Sequence, residues 1–247
     1  MLKRNQESWS NCLTDQLHKE AAIRIWNSTK TGNKGSIYNP IKNIYEDIAP
    51  LNNYSNKISI AELKKSLRYK FLSKRCSLSN ESIQKNSKLI CDSFAQLNAF
   101  KQSSNIAIYY PVKNEVDTLT LFNTIQSAGK YSYFPKVADG KLYFHKIRNL
   151  NQLETGYYGI PEPGNSVIFT GINEIDLFIV PGLCFDLKGS RLGYGKGLYD
   201  QALKNISSSK LYAFCYKFQI LNELPSDKDD KRVGHLISES DVVSCKI

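Results

Sequence analysis

The sequence lacks any dense run of lysine and arginine, although its 33 Lys and Arg residues exceed its 23 Asp and Glu residues by ten. Neither an RGG repeat nor a basic helix pattern is present, which argues against direct binding of nucleic acid. Diffuse positive charge also suits a membrane surface or a small polyanion such as a nucleotide. The charge balance therefore indicates an anionic partner, and we expect that partner not to be a nucleic acid.

Long apolar runs are also missing. None approaches the ~18 residues that a membrane-spanning helix needs, and the N-terminus has no signal-peptide core. The cysteines show no C-x-x-C spacing, which disfavours zinc or disulfides and favours small buried side chains in a reducing compartment. We therefore expect a cytoplasmic protein without a membrane partner. The cysteines are Cys12, Cys76, Cys91, Cys184, Cys215 and Cys245.

Residues 1–58 are rich in Asn, Lys, Ser and Ile and differ in composition from residues 59–247, which we predict to form the main domain. Only the segment CLTDQLHKEAAIRIW carries apolar residues at helical spacing. We interpret the first 58 residues as an appendage of unknown role that is poorly ordered or lies against the main domain. The alternative is an organelle-targeting peptide, against which Glu7, Asp15 and Glu20 argue.

The first helix of the main domain is predicted from its capping signal. In SIAE, Ser59 and Glu62 have the spacing of a capping box, so a helix is expected over about residues 60–74. Leu63, Leu67 and Phe71 form its apolar stripe. Lys64 and Arg68 lie four residues apart on a neighbouring face and are able to point at one target. A solvated basic face is the other interpretation.

Further along the chain, helical and strand patterns alternate. ESIQKNSKLICDSFAQLNAF and DTLTLFNTIQSAGK indicate helices, and another helix is expected to begin near Leu198. NIAIYYP, KYSYFPKV, KLYFHKI, EIDLFIVPG and KLYAFCYKF are short aromatic and β-branched runs typical of strands. This alternation predicts an α/β fold, a Rossmann-like three-layer α/β/α sandwich around a largely parallel sheet with the apolar residues 175–180 at its centre.

A glycine-rich stretch, FDLKGSRLGYGKGLYDQAL, follows that central strand. Gly193, Gly195 and Gly197 alternate, which allows the backbone to approach a bulky anion at the carboxyl edge of the sheet. Arg191 and Lys196 add full charges, and the next helix adds its N-terminus. The pattern fits neither a Walker A loop nor a dinucleotide fingerprint. From these residues alone, a phosphate cradle and a purely structural turn remain open.

One turn further on, Asp200 has a position from which a carboxylate is able to hold Mg²⁺ beside bound phosphates. A simple helix-start carboxylate is an equally good interpretation of the same residue.

Several segments, in the family's order, resemble the 5-formyltetrahydrofolate cyclo-ligase family, also called 5,10-methenyltetrahydrofolate synthetase. VPGLCFDLKGSRLGYGKGLYDQAL is similar to the family's signature segment, and ELKKSLRYKFLSKR resembles its first helix. IAIYYPVKNEVDTLTLF resembles its folate-contacting strand and loop, and GYYGIPEP resembles a segment that usually reads G-x-x-G-I-x-E-P. The resemblance extends over about residues 60–240 and leaves the first 58 residues uncovered.

The resemblance implies conversion of 5-formyltetrahydrofolate to 5,10-methenyltetrahydrofolate, with ATP as co-substrate and Mg²⁺ required. In that family ATP is thought to phosphorylate the formyl oxygen, after which N10 attacks the activated carbon and phosphate departs. Such a site works mainly through positioning and cations. The substrates are then ATP and a folate with an anionic glutamate tail, which extends to polyglutamate in some folates. We expect a monomer.

The resemblance also assigns roles to residues. Lys196 and Arg191 are the predicted catalytic residues, with Lys196 stabilising charge on the transferred phosphoryl group, and Asp200 is the predicted Mg²⁺ ligand. Lys113 and Lys136 are loose candidates for the glutamate tail. The predicted ATP contacts are Lys64, Lys65, Ser66, Leu67, Arg68, Arg191, Leu192, Gly193, Tyr194, Gly195, Lys196, Gly197, Leu198 and Tyr199. The predicted folate contacts are Tyr110, Glu115, Tyr158, Tyr194 and Leu198.

The chain departs from the family pattern at two positions. Leu198 stands where the family often has a tyrosine near the substrate, and Gly234 where many members have an aspartate associated with the metal. Asp229 or Asp230 are candidates to compensate for that aspartate. These departures motivate one alternative to the cyclo-ligase, a folate- or nucleotide-binding protein without turnover. A sugar-phosphate or other phosphoryl enzyme on a similar scaffold is a second alternative, because fold alone does not fix function.

Overall fold

The computed structural model describes residues 59–165, 171–227 and 230–247. The predicted appendage, including the helix expected within CLTDQLHKEAAIRIW, lies outside these residues, as does Asp229. Within the described residues, no helix is both long enough and apolar enough to cross a membrane.

The helix predicted from the capping box is present and runs two residues further than expected. Ser59 Oγ accepts a hydrogen bond from the Glu62 backbone N–H, and the Glu62 carboxylate accepts one from the Ser59 N–H. Leu63, Leu67 and Phe71 are buried as the stripe predicts. The helices are α1 Ile60–Cys76, α2 Asn80–Gln96, α3 Asn98–Gln102, α4 Thr118–Ser127 and α5 Leu198–Ala202.

Twelve strands form three sheets within the described residues. They are β1 Asn105–Ala107, β2 Tyr131–Ala138, β3 Lys141–Ile147, β4 Leu153–Thr155, β5 Pro161–Pro163, β6 Leu177–Val180, β7 Cys184–Asp186, β8 Arg191–Leu192, β9 Leu211–Phe214, β10 Ile220–Leu221, β11 His235–Ile237 and β12 Val242–Ser244. The main sheet has the order β12-β11-β9-β6-β1-β2-β3. Its five inner strands are parallel, and β12 and β3 pair antiparallel at its edges.

The two faces of the main sheet are covered differently. Side chains alternate between them, so Ile106 packs under α2 and α4 while Ala107 points to the opposite face. The helical face is filled by aromatic side chains, with Phe94 at the centre of three edge-to-face contacts. The opposite face is covered by Phe185 of β7 and by Leu203 just after α5. The predicted α/β fold with a largely parallel sheet is confirmed. Among the described residues, the helical layer on the Ala107 face is much thinner than the layer on the Ile106 face.

Pro135 lies inside β2, where a missing backbone N–H would break an inner ladder. The short strand β1 pairs with β2 only as far as Tyr133, and Ile108 N–H then donates to the Tyr133 carbonyl. Pro135 therefore lies beyond the part of β2 that β1 covers, and its missing N–H interrupts no bond to that neighbour.

The turn between β7 and β8 is organised by a buried carboxylate. Asp186 Oδ1 accepts hydrogen bonds from the backbone N–H groups of Lys188 and Ser190, each at 2.9 Å, and Oδ2 accepts one from Leu224 N–H at 2.9 Å. The side chain is fully buried. These bonds fix the chain direction that leads into Arg191 and the glycine-rich loop.

We expect Asp186→Asn to lower the free energy of unfolding by about 2 kcal/mol, because either orientation of the amide turns an N–H donor toward a buried backbone N–H. Urea denaturation measures this change. Glu223→Gln is the matched control, since Glu223 is exposed and pairs with Lys188 at the same turn, and its effect is expected to be much smaller because solvent screens an exposed ion pair. Equal stability of the two variants would contradict the role of the Asp186 carboxylate in organising the turn between β7 and β8.

Candidate active site

The glycine-rich loop lies against the carboxyl end of β6. β6 ends at Val180, and the Arg191 Nη1 group donates to the carbonyl of Pro181 just beyond it. Gly195 and Gly197 have φ values of +96° and +66°, which side chains disfavour, whereas Gly193 needs no such freedom. The sequence therefore places glycine where the backbone turns into α5.

Arg68 of α1 contacts this loop directly. Its Nε donates to the Gly193 carbonyl at 2.9 Å, and a Cβ on Gly195 would lie 3.3 Å from the guanidinium carbon. The loop and the guanidinium are thus packed together, and the predicted direction of Arg68 toward the cradle agrees with this geometry.

Lys64 has a different partner from Arg68. Its Nζ lies 2.6 Å from Asp227 Oδ2 and 2.8 Å from Asp230 Oδ2. Burial alone lowers the pKa of Lys64, but the hydrogen bonds and charges of Asp227 and Asp230 raise it above its ordinary value. Lys64 and Arg68 therefore have different partners in this structure, and their predicted contact with ATP stays a prediction. Lys64 faces the protein's own carboxylates, and Arg68 faces the loop.

The other helix and loop residues predicted to bind ATP differ in exposure. Lys65 is exposed and Ser66 is half-buried, whereas Leu67 and Leu192 lie in the core. Contact between ATP and the last two residues would have to come from their backbone, since their side chains have almost no accessible surface.

Arg191 is occupied by protein groups on three sides. Its Nη2 donates to Asp200 Oδ1 at 2.7 Å, its Nη1 donates to the Pro181 carbonyl, and its guanidinium lies 5.7 Å from the centre of the Tyr199 ring. The side chain is almost wholly buried. Arg191 thus braces the base of the loop, and its predicted catalytic role stays a prediction.

An open cleft of about 320 Å³ adjoins the glycine-rich loop. Tyr158 adopts a left-handed φ of +58° and is 64% exposed, so its ring stands out into solvent at the cleft. Hydrogen bonds from the hydroxyl of Tyr157 and from Lys196 lower the pKa of Tyr158. The cleft is lined by Val137, Asp139, Gly140, Tyr157, Tyr158, Lys196 and Leu198. Three predicted site residues therefore meet here: Tyr158, Lys196 and Leu198.

Glu162 holds the wall of this cleft in place. Its buried carboxylate accepts hydrogen bonds from the backbone N–H groups of Val137 on β2 and of Tyr157. Burial raises the pKa of Glu162 despite these bonds. A Cβ on Gly156 would lie 2.6 Å from the Glu162 side chain, so the turn closes tightly over it. Glu162 lies in the GYYGIPEP segment but is not among the site residues predicted from the sequence.

Glu115 lies in a second buried polar group behind the loop. It follows two left-handed residues, Lys113 and Asn114, at φ +49° and +58°. Its Oε2 accepts from the Val112 N–H at 3.1 Å, and its Oε1 accepts from the Tyr194 hydroxyl at 3.2 Å. The residue is only 5% exposed, and burial raises its pKa against the opposing charge of Arg75.

Arg75 completes this group and was not predicted as a site residue. Its Nη2 lies 3.4 Å from Glu115 Oε1 and donates to the Tyr194 hydroxyl. Its Nε donates to the Lys113 carbonyl at 2.9 Å, and its Nη1 donates to the Gly182 carbonyl at 3.1 Å. One side chain therefore joins α1, the loop before Glu115, the end of β6 and the glycine-rich loop.

The sequence did carry a signal for Arg75. The residue continues the buried stripe of Leu67 and Phe71 at a spacing of four, and a cation on such a stripe has to find buried partners. A stripe defined by apolar residues alone ends at Phe71 and therefore does not include Arg75.

The remaining predicted folate contacts lie around these two groups. Tyr110 is half-buried against the helical core, and the Lys113 ammonium lies 5.5 Å from the centre of the Tyr194 ring. Lys136 Nζ donates to Asn165 Oδ1 at 2.7 Å, next to the cleft residue Val137.

Asp200 is the predicted metal ligand, and both hydrogen bonds that it accepts from described residues end on Oδ1, from Arg191 Nη2 and Lys231 N–H. Among the described residues, no group of three or more His, Cys, Asp or Glu side chains is arranged to hold a metal ion. A single carboxylate nevertheless suits Mg²⁺ bound mainly by water and substrate phosphates. Asp200 fits that mode through Oδ2.

Gly234 is closely packed against backbone. A Cβ at this position would lie 2.3 Å from the Ser208 carbonyl oxygen and 3.1 Å from the Ser209 Cα. An aspartate at this position would therefore clash with the chain, and neither neighbour is a flexible side chain. Asp230, one of the candidates to compensate, already pairs with Lys64.

Comparison with known proteins agrees with this architecture. The sequence profile of the 5-formyltetrahydrofolate cyclo-ligase family matches residues 60–239. The chain is 28% identical to the 5-formyltetrahydrofolate cyclo-ligase of Mus musculus over 202 residues, which cover 76% of this chain and 98% of that protein. It is 31% identical to the enzyme of the same name from Mycoplasma genitalium over 177 residues, covering 70% and 96%.

A solved structure has the same fold. The NMR structure of Aquifex aeolicus 5,10-methenyltetrahydrofolate synthetase superposes with a TM-score of 0.69 at 34% identity, covering 75% of this chain and 94% of that chain. The family profile begins at residue 60 and does not cover the residues before it.

We expect Gly234→Asp to lower the free energy of unfolding by about 3 kcal/mol, because the added side chain overpacks against backbone that is unable to rotate away. Thermal or urea unfolding measures the loss. Gly171→Ala is the matched control, because its Cβ would meet only Glu174 Oε1, at 3.5 Å, and its effect is expected within about 0.5 kcal/mol. Wild-type stability in Gly234→Asp would show that the backbone relaxes around the new side chain.

Proposed function

The chain belongs to the 5-formyltetrahydrofolate cyclo-ligase family, and we propose that it uses ATP and Mg²⁺ to cyclise 5-formyltetrahydrofolate to 5,10-methenyltetrahydrofolate, releasing ADP and phosphate. Membership of this enzyme family argues against the sugar-phosphate alternative, and the assay described below distinguishes turnover from folate binding alone. The use of ATP, the need for Mg²⁺ and the role of each residue are the content of the proposal.

One observation carries the proposal. The glycine-rich loop contacts Arg68 through the Gly193 carbonyl, while its own Tyr194 reaches back to Glu115. A loop suited to phosphates is thus in hydrogen-bond contact with the carboxylate expected to recognise the pterin. Two substrates that must react with each other need such adjacent sites.

The first step of the proposed mechanism activates the formyl group. Its oxygen is a poor leaving group because it belongs to an amide. The formyl oxygen attacks the γ-phosphorus of ATP, a P–O bond forms, and the bond from that phosphorus to ADP breaks. Lys196, at the exposed tip of the loop, stabilises the negative charge that spreads over the transferred phosphoryl oxygens.

The second step closes the ring. The N10 lone pair attacks the activated formyl carbon, the bond from that carbon to the phosphorylated oxygen breaks, and phosphate leaves. N10 loses its proton, and the remaining positive charge is shared between N5 and N10. Glu115 accepts a hydrogen bond from the pterin and orients the ring, while Tyr158 and Leu198 form part of the pocket wall.

Asp200 would hold the Mg²⁺ ion through its second carboxylate oxygen. Bound Mg²⁺ would neutralise charge on the β- and γ-phosphates of the nucleotide. Arg191 keeps Asp200 in position through the bond from Nη2 to Oδ1. Its proposed contribution to catalysis is therefore the alignment of Asp200 and the loop base.

Three further features belong to the proposal. The glutamate tail of the folate extends toward Lys113 and Lys136, which attract its carboxylates, including those of polyglutamate forms. The enzyme acts as a monomer in the cytoplasm. Cys91, Cys184, Cys215 and Cys245 are free thiols, as a reducing compartment allows, and burial raises the pKa of Cys91 to about 12.

We expect Lys196→Ala to lower kcat by about 10² to 10³ fold, because a positive charge at the transferred phosphoryl group is lost. The assay mixes protein, 5-formyltetrahydrofolate, ATP and Mg²⁺ and follows the near-ultraviolet absorbance of the conjugated product. Lys188→Ala is the control, since Lys188 is an exposed lysine on the preceding turn, and it is expected to retain wild-type rates. Absence of product in the wild-type assay would refute the proposed function.

Leu198→Tyr restores the aromatic side chain that the family often has beside the substrate. We expect the KM for 5-formyltetrahydrofolate to fall about fivefold, because the ring adds stacking surface to the cleft that Tyr158 lines. The KM for ATP is expected to stay unchanged. Leu187→Tyr, at an exposed turn, controls for an added aromatic residue, and an unchanged folate KM in Leu198→Tyr would exclude contact with the substrate.

A further inference from the structure

The side chain of Arg75 is buried more completely than any other charged side chain among the described residues except that of Asp186. It is 1% exposed, and all of its hydrogen bonds go to protein groups outside its own helix. A buried cation is tolerated only where charge and hydrogen-bond partners compensate for lost water. Arg75 has both, because Glu115 supplies the opposite charge and three oxygen atoms accept its N–H groups.

The hydrogen bonds around Tyr194 run in one direction. Arg75 Nη2 donates to the Tyr194 hydroxyl oxygen, and the Tyr194 hydroxyl donates to Glu115 Oε1. Burial raises the pKa of Tyr194, with the Glu115 charge adding to the shift, so the phenol keeps the proton that it donates. Tyr194 is thus a relay between a fixed cation and the carboxylate predicted to bind the pterin.

Tyr194 belongs to the glycine-rich loop, where we propose that ATP binds. Tyr194 lies between Gly193, whose carbonyl binds Arg68, and Gly195, whose φ is +96°. The residue is 42% exposed, and its hydroxyl makes hydrogen bonds to the buried side chains of Arg75 and Glu115. Any shift of the loop that accommodates phosphates therefore moves the hydroxyl that contacts Glu115.

Arg75 also fixes both backbone segments next to the reacting groups. Its bonds to the Lys113 and Gly182 carbonyls join the strained turn before Glu115 to the segment that follows β6. Asn114 Nδ2 returns hydrogen bonds to the last carbonyls of α1, at Arg75 and Cys76. The end of α1 therefore contacts this turn in two ways, through the Arg75 side chain and through the two carbonyls that accept from Asn114.

We propose that Arg75 is a positioning residue that couples the two substrate sites, by holding Glu115 in place for the folate and, through the Tyr194 hydroxyl, tying Glu115 to the glycine-rich loop. The inference rests on the proposed function. Nucleotide binding that fixes the loop then fixes the Glu115 carboxylate, and folate binding to that carboxylate fixes the loop. Such coupling is reciprocal, so each substrate raises the affinity for the other by the same factor.

The first test measures this coupling by calorimetry, without turnover. The Kd of a non-hydrolysable ATP analogue is determined with and without saturating 5-formyltetrahydrofolate, and the Kd of the folate is determined with and without the analogue. In the wild type we expect each ligand to tighten the other about tenfold. In Tyr194→Phe, which lacks only the relay hydroxyl on an exposed loop, we expect the factor to fall to about one.

The second test uses the pH dependence of kcat/KM for the folate. Arg75 lowers the pKa of Glu115 against the effect of burial, so its removal in Arg75→Met lets that pKa rise. Glu115 is then protonated at a higher pH than in the wild type. The acid limb of the profile therefore shifts to higher pH. In Arg75→Lys the midpoint of the acid limb is expected to lie between those of the wild type and Arg75→Met, because lysine supplies the charge but not the fork of N–H donors.

Loss of stability is separated from loss of positioning by a matched control. Leu121→Ala removes a buried side chain of α4 that makes none of the hydrogen bonds of Arg75, Glu115 and Tyr194, and is chosen to reproduce a stability loss like that of Arg75→Met. It is expected to keep the wild-type coupling factor and pH profile. If Arg75→Met does not fold, Tyr194→Phe and Glu115→Gln, alone and together, decide the question, and coupling is expected to be lost to the same extent in all three.

The outcomes separate the two levels of the proposal. If the wild-type protein turns over 5-formyltetrahydrofolate with ATP, the proposed function stands. The inference is nevertheless overturned if the two ligands bind independently, or if their coupling survives Tyr194→Phe. An acid limb that is the same in wild type and Arg75→Met overturns the positioning of Glu115. Wild-type protein that forms no product refutes the proposed function itself.

Discussion

The buried guanidinium of Arg75 imposes the constraint on which the site depends. A cation at the end of α1 with almost no access to water requires acceptors on several sides, and the chain supplies them from segments far apart in sequence. Satisfying that one group brings the turn before Glu115, the end of β6 and the glycine-rich loop to a common point. The sheet then positions these segments, and Arg75 sets their mutual distances.

The sequence was sufficient for the elements with strong local signals. The capping box at Ser59, the stripe through Phe71 and the glycine stop after α4 rest on interactions within a few residues, so periodicity and capping predict them. The central position of β6 followed from its apolar composition. Strands of two or three residues, such as β8 and β10, carry no period of their own, and long-range pairing alone defines them.

The site was predictable in its residue types and less so in its pairings. Lys64 and Arg68 were correctly seen on neighbouring positions of one helix, but spacing says nothing of Asp227 and Asp230, which lie more than 160 residues away. The obstacle at Gly234 arises from the Ser208 carbonyl, a neighbour that no local pattern reveals. In this structure Lys64 is neutralised by the protein's own anions, so a polyphosphate that approaches it has to exchange one set of negative charges for another.

The two edge strands of the main sheet, β12 and β3, both pair antiparallel with their neighbours. β3 is the longer of the two, and an edge strand of seven residues is able to template pairing with another copy. Lys141 begins that strand, and the ammonium of Lys146 lies over the ring of Tyr131 on the neighbouring strand, 3.5 Å from its centre. A second β3 laid alongside would bring like charges together and strip them of water. Lys141 and Lys146 would therefore oppose pairing of two β3 strands, and this part of the +10 charge needs no ligand to explain it.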